Sequence, residues 1–276
     1  MTSRYGDLDR PPLHVDALRK ALVGPGSLWT VIEVVASAPS TNAELVDRAA
    51  DPSADGVVLI AEHQTGGRGR LGRTWTAPAQ SGLTMSVLVR PDDVAVARWP
   101  WIPLLSGLAV AATLRQEAEL AATLKWPNDV MVGDSKVAGL LVERVESRRG
   151  AAAAIIGIGL NVSLHADELP VPGATSLAIE GAATTDRSLL ARSILRNLES
   201  MLTDWYRHGG DAQHGLQLAY AEACSTVGRR VRLEQPDGTS VEGDAVGIDD
   251  AGRLLVQTFE GQAAFGAGDV VHLRTP

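Results

Sequence analysis

The chain is poor in cysteine. Cys224 is the single one among 276 residues, so no intrachain disulfide can form, and the composition points to a reducing compartment. No apolar run reaches membrane-spanning length; the longest candidate, Ala151 to Val162, is interrupted by Gly157, Gly159 and Asn161. The stretch from Met1 to Pro12 is polar and charged, unlike a secretory signal. The expectation is a cytoplasmic protein with no membrane partner. The histidines (14, 63, 165, 208, 214 and 272) form no pair at metal-ligand spacing, and there is no Gly-x-Ser-x-Gly elbow. Neither a zinc site nor a serine hydrolase is expected. A net charge of −8 argues against general nucleic-acid binding.

What is present is an ordinary globular composition, 45% hydrophobic and 21% charged. That length can bury one substantial core and still carry a small second domain. Against the acidic background, one segment stands apart. From Gln64 to Trp75 the chain has three arginines (Arg68, Arg70, Arg73), four glycines and no acid. Glycine lets backbone approach a ligand closely, and arginine presents a planar, permanently charged fork to phosphate or carboxylate. The segment reads as an anion-holding loop. Gly67-x-Gly69-x-x-Gly72 also fits a dinucleotide fingerprint, and Gly67-x4-Gly72-Arg73-Thr74 nearly fits a P-loop. Both need a helix directly after the glycines, whereas Pro78 and the run Leu83–Val89 predict a turn and then a strand. A solvated basic loop without a ligand stays open on this segment alone.

Along the chain, helices are predicted over Leu13–Val23, Thr41–Ala50, Ile102–Leu114, Leu189–His208 and Ala212–Ala223. Thr41 and Glu44 are read as a capping box, and Ile102–Leu114 as a helix with one apolar face. Strands are predicted over Trp29–Val35, Val57–Ala61 (covered on both faces) and Leu83–Val89. A strand meander follows from Leu124 to Val162, turning at Pro127-Asn128-Asp129, at Gly133-Asp134-Ser135 and at Ser147–Gly150. After Cys224 short strand-forming runs (Arg230–Leu233, Val241–Val246, Leu254–Thr258, Val270–Leu273) alternate with turns, predicting a small all-β barrel. The expected division is 1–224 and 225–276.

Three further segments carry chemistry: Lys125-Trp126-Pro127-Asn128-Asp129, Lys136-Val137-Ala138-Gly139-Leu140-Leu141-Val142-Glu143, and Gly157-Ile158-Gly159-Leu160-Asn161. Singly, each has a plain structural reading: Trp126 as core, Gly159 as a bulge, Asn161 as a turn former, Lys136 as a solvated charge. In this order, with the arginine loop, they resemble the biotin–protein ligases. The resemblance runs from about Pro39 to Asn161 and more loosely to Leu273.

That resemblance implies an α+β catalytic domain of the class II aminoacyl-tRNA-synthetase-like type, with a mixed, mostly antiparallel sheet, and a closing barrel like a Src-homology-3 domain. It implies activation of biotin with ATP and magnesium to biotinyl-5′-AMP, then transfer to a lysine of a biotin carboxyl carrier domain. By the same resemblance Arg68, Arg70 and Lys136 surround the reacting carboxylate and phosphate. Ser40, Thr41, Asn42, Gln64, Gly69, Gly139 and Gly159 belong to the biotin pocket. Arg73, Trp75, Asn128 and Asn161 belong to the adenylate side, with Arg70 shared. Asp129 is the candidate to help the acceptor amine, and magnesium ligands are not assigned. About thirty residues precede the matching region, which predicts no DNA-binding module. The loop is expected to order over the adenylate. The rival readings are a lipoate or octanoate ligase, and a non-catalytic nucleotide- or nucleic-acid-binding regulator.

Overall fold

The computed structural model describes residues 10–146 and 152–273. The turn expected at Ser147–Gly150 lies outside the described residues. The chain runs α1 (Val15–Leu22), β1 (Val31–Val35), α2 (Thr41–Arg48), β2 (Val57–Ala61), β3 (Gly67–Arg68), β4 (Thr74–Trp75), β5 (Gly82–Val89) and α3 (Trp101–Gln116). It continues β6 (Ala122–Lys125), β7 (Asp129–Val132), β8 (Ser135–Val145), β9 (Ala153–Asn161), α4 (Arg187–Arg207) and α5 (Leu216–Ala223). The last five strands are β10 (Arg230–Glu234), β11 (Ser240–Ile248), β12 (Leu254–Thr258), β13 (Gly261–Phe265) and β14 (Asp269–His272).

The main sheet has seven strands in the order β1-β2-β5-β9-β8-β7-β6. Only β1 and β2 pair in parallel; the other neighbours are antiparallel. Side chains on a strand alternate between faces, and β2 shows what that does here. Val58 and Ile60 join the large core beneath α1, α3 and α4, while Val57 and Leu59 join a smaller cluster with Leu45 of α2. Burial on both faces is what a continuous Val-Val-Leu-Ile-Ala run demands.

Two local expectations differ. Ser40, not Thr41, caps α2: its side chain accepts from the Ala43 N–H, and Glu44 lies one position too far along to close a box. The Thr41 hydroxyl is thereby free to take part in the pocket described below. Helix α3 is buried nearly all round rather than on one face, because the sheet, α4 and α5 all pack against it. It satisfies its own polar residues internally, Ser106 donating to Ile102 O and Thr113 to Ala109 O.

The C-terminal strands form a five-stranded antiparallel sheet in the order β13-β12-β11-β10-β14. The terminal strands β13 and β14 do not pair with each other, so the expected barrel is an open sheet. Strand β13 is a segment the sequence reading did not find, since Gly261-Gln-Ala-Ala-Phe has little β-branched content. The other four strands of this sheet share the large core with the main sheet and its helices through Val231, Leu233, Ile248, Leu254 and Val270. The Trp101 and Trp126 indoles donate across the junction, to Asp250 O at 2.6 Å and Gly252 O at 3.1 Å.

Candidate active site

A cavity of about 790 Å³ opens between the main sheet, the arginine loop and the edge of the C-terminal sheet. Every site residue named from sequence lines it: Ser40, Thr41, Asn42, Gln64, Arg68, Gly69, Arg70, Arg73, Trp75, Asn128, Asp129, Lys136, Gly139, Gly159 and Asn161. The arginine loop leaves β2 and folds as a small hairpin, β3 against β4, and no helix opens after its glycines. That excludes the dinucleotide-fingerprint and P-loop readings. Leu71 and Gly72 take left-handed backbone conformations, φ 53° and 74°, at its tip, and the Gly69 N–H donates to Arg73 O at 2.7 Å.

The cations stand in different states. Arg70 Nη1 donates to Asn128 Oδ1 at 2.7 Å and its Nη2 to Gly268 O at 3.4 Å. Burial pushes the Arg70 guanidinium below its ordinary value, with Asp269 and Asp129 opposing the shift; it remains a cation at neutral pH. Arg73 is ion-paired with Asp269 of β14. Lys136 Nζ pairs with Asp129 Oδ1 at 2.6 Å and lies 5.8 Å from the centre of the Trp75 ring. Arg68 is exposed.

Some of the expected contacts are already committed inside the protein. Asn128 serves Arg70 with its oxygen and Leu140 O with its nitrogen, at 2.9 Å. Asn42 is 4% exposed, and its amide is spent on Ser86, Glu143 and Leu141 O. Gly139 and Gly159 face each other across β8 and β9 in register, so Gly159 is not a bulge. A Cβ on Gly159 would strike the Trp75 ring, 2.7 Å from Cζ2 and 2.8 Å from Nε1. One on Gly139 would lie 2.9 Å from Lys136 Nζ. The bare strip these glycines create is therefore the seat of the Trp75 indole. Trp126, 2% exposed, is core as well as cavity wall.

Two buried polar atoms of the wall have no partner among the described residues: Trp75 Nε1 and Asn161 Oδ1. Asn161 is 2% exposed and uses only its nitrogen, on Thr175 O at 2.9 Å. A buried donor and a buried acceptor left unpaired are costly, which is a reason to look for a ligand beside them.

Sequence reasoning missed Thr84, Gly157, Glu234, Asp269 and Val270, all of which line the cavity. Gly157 stood in a quoted motif without a role. Glu234 and Asp269 come from the C-terminal sheet, where no local pattern marks them. No group of three or more His, Cys, Asp or Glu suited to a metal occurs among the described residues, and no helix there is long and apolar enough to cross a membrane.

Residues 31–161 match the biotin/lipoate A/B protein ligase family, and residues 226–273 match the biotin protein ligase C terminal domain. The chain is 44% identical to a biotin–[acetyl-CoA-carboxylase] ligase of Mycobacterium tuberculosis, over 99% of this chain and all of that one. It is 32% identical to the Paracoccus denitrificans protein of the same name, over 86% and 98%. Among solved structures, the biotin protein ligase from Aquifex aeolicus in complex with biotin and ATP superposes with a TM-score of 0.73. That match has 28% identity and covers 90% of this chain and 100% of that one.

Proposed function

The chain belongs to the biotin protein ligase family, and on that premise we propose how its cavity carries out the family's reaction. The protein is an ATP-dependent ligase that joins biotin to AMP and then transfers the biotinyl group to a lysine. We assign the acceptor to a biotin carboxyl carrier domain of a carboxylase and the setting to the cytoplasm, where ATP is supplied.

In the first step a biotin carboxylate oxygen bonds to the α-phosphorus of ATP, and the bond to the pyrophosphate oxygen breaks. Nucleophile and electrophile are both anionic, so charge must be neutralised where it accumulates. Arg68 and Arg70 supply positive charge from the loop, and Lys136 from β8. Arg70 is held in place by Asn128, so Asn128 contributes as a positioning residue. Magnesium would be brought in on the nucleotide, held by phosphate oxygens and water; of the acids that line the cavity, Asp129 and Asp269 are occupied by Lys136 and Arg73, and Glu234 is exposed.

The observation that carries this reading is the pair of orphaned wall atoms, Trp75 Nε1 and Asn161 Oδ1, on the side assigned to the adenylate. A nucleotide brings acceptors for the one and donors for the other. In the second step the acceptor amine attacks the acyl carbon and AMP leaves. A lysine with a pKa near 10.4 is neutral in only about one molecule in 2,500 at pH 7. Asp129 is the carboxylate that orients the amine or takes its proton. It is freed for that role when Lys136 turns from it to the phosphate.

The test is pyrophosphate release from ATP-magnesium with biotin or with lipoate, read beside the mass of the acyl-adenylate. Biotinyl-AMP formed in preference to lipoyl-AMP supports the reading. Folded protein that makes adenylate with neither acid refutes it.

A further inference from the structure

Glu143 ends the Lys-x-Ala-Gly-x-Leu-x-Glu segment and has no part in the chemistry above. Its Oε2 accepts from Asn42 Nδ2 at 2.7 Å, and the same nitrogen reaches Leu141 O at 3.3 Å. A carboxylate and a carbonyl can only accept. The Asn42 amide is therefore forced to direct its NH₂ toward them and its Oδ1 the other way, where Ser86 Oγ lies at 2.6 Å. Ser86 Oγ is also 2.7 Å from Thr41 Oγ1, which is 3.0 Å from Gln64 Oε1. The Thr41 backbone N–H, donating to Gln64 Oε1 at 2.8 Å, fixes the Gln64 amide in the same way.

The protons in this chain can be counted. Asn42 Oδ1 and Gln64 Oε1 carry none, while Ser86 and Thr41 carry one each. Three oxygen–oxygen contacts share two protons, so the network is one donor short. At the Glu143 end the 2.6 Å contact takes the Ser86 proton. The shortage falls at the other end, on Thr41 and Gln64. Those two residues line the cavity, whereas Ser86 is fully buried and does not.

We propose that Glu143 is a positioning and specificity-determining residue. Acting through Asn42 and Ser86, it sets Thr41 Oγ1 and Gln64 Oε1 as hydrogen-bond acceptors toward the cavity, so that the site takes a head group bringing an N–H. A cyclic urea such as that of biotin brings two; the dithiolane of lipoate brings none. The inference rests on the biotin reading given above.

The experiment measures adenylate formation by wild type, Ser86→Ala, Glu143→Met and Glu143→Gln, each checked for folding by thermal melting. Ser86→Ala and Glu143→Met are expected to raise the biotin KM about five- to tenfold, the effect of one neutral hydrogen bond. The ATP KM should stay unchanged and kcat within about twofold. Glu143→Gln keeps a carbonyl oxygen for Asn42 and should restore the wild-type biotin KM. If Glu143→Met does not fold, Ser86→Ala decides. An unchanged biotin KM in folded Ser86→Ala overturns the inference, as does a parallel rise in both KM values or a Glu143→Gln variant as impaired as Glu143→Met. Wild-type protein that makes no biotinyl-AMP overturns the biotin reading, and this inference with it. An active wild type beside unaffected variants overturns the inference alone.

Discussion

Replacing Gly157 by alanine tests the pocket at its most crowded point. Gly157 of β9 sits between Ser86 of β5 and Leu141 of β8 in the sheet register. A Cβ there would fall on Asn42 Oδ1 and only 2.9 Å from its Cγ. Both are part of a side chain pinned on three sides, by Ser86, Glu143 and Leu141 O. The neighbour cannot give by rotating its far end, because that end is what the bonds hold. Asn42 must swing out, and its bonds go with it. At about 0.5–1.5 kcal/mol for each, losing three costs about 2–4 kcal/mol. For a body of this size that lowers Tm by about 2–4 °C per kcal/mol, or about 4–16 °C in all. Thr41 loses its fixed neighbour at the same time, and the biotin KM should rise about tenfold, equivalent to ~1.4 kcal/mol. Differential scanning fluorimetry and biotin titration of the pyrophosphate assay read the two effects. A Gly157→Ala protein with Tm within about 1 °C of wild type and an unaltered biotin KM would refute the reasoning about Asn42.

Gly159→Ala, two residues along the same strand face, meets Trp75 instead of Asn42. It should quench or shift the Trp75 fluorescence and weaken adenylate formation with little loss of Tm; a Tm fall as large as that of Gly157→Ala would show the two glycines to be equivalent. Burial, and then Lys125 and Arg229, lower the His272 pKa from 6.5 to about 4. Protons therefore favour the unfolded chain, and this stabilisation, complete above about pH 6.5, is lost as pH falls toward 4. Wild type should lose Tm over that window more steeply than His272→Gln, and equal slopes would contradict the shift. Asp129→Asn should slow transfer from preformed biotinyl-AMP by on the order of 10²-fold, and an unchanged single-turnover rate removes Asp129 from the transfer step. Limited proteolysis within residues 65–75 should fall on adding biotin and ATP together, whereas equal cleavage in both states would mean the loop is not a lid.

The three quoted motifs and the arginine loop were legible as one site through their shared resemblance to the biotin–protein ligases, since singly each motif has a plain structural reading. An acid-free cluster of arginines and glycines in an acidic chain has a chemical reason, and hydrophobic runs such as Val57–Ala61 declare their own burial. The capping of α2 was misread for a physical reason: Ser40 and Thr41 are both competent caps, and only the path of the chain decides that Ser40 takes the role while Thr41 turns to Gln64 and Ser86. Strand β13 gave no signal because its alanines and glutamine have no strand preference, and its pairing with β12 supplies the order.

The sequence by itself determined the family, the α+β class and those residues of the cavity wall that stand in the arginine loop and the quoted motifs; Thr84, Glu234, Asp269 and Val270 were left to the fold. Hydrophobic period and turn residues, properties of the chain alone, mark the elements, while the family and the site residues rest on the resemblance that the ordered motifs carry. Only the tertiary structure decided what those residues do for one another. Asp129 holds Lys136, Asn128 holds Arg70, and Asp269 reaches Arg73 from 196 positions away. Gly157 is bare for Asn42, and Gly159 for Trp75. Such pairings depend on which strands become neighbours, a matter of packing between distant segments. No local pattern encodes which oxygen will lack a proton.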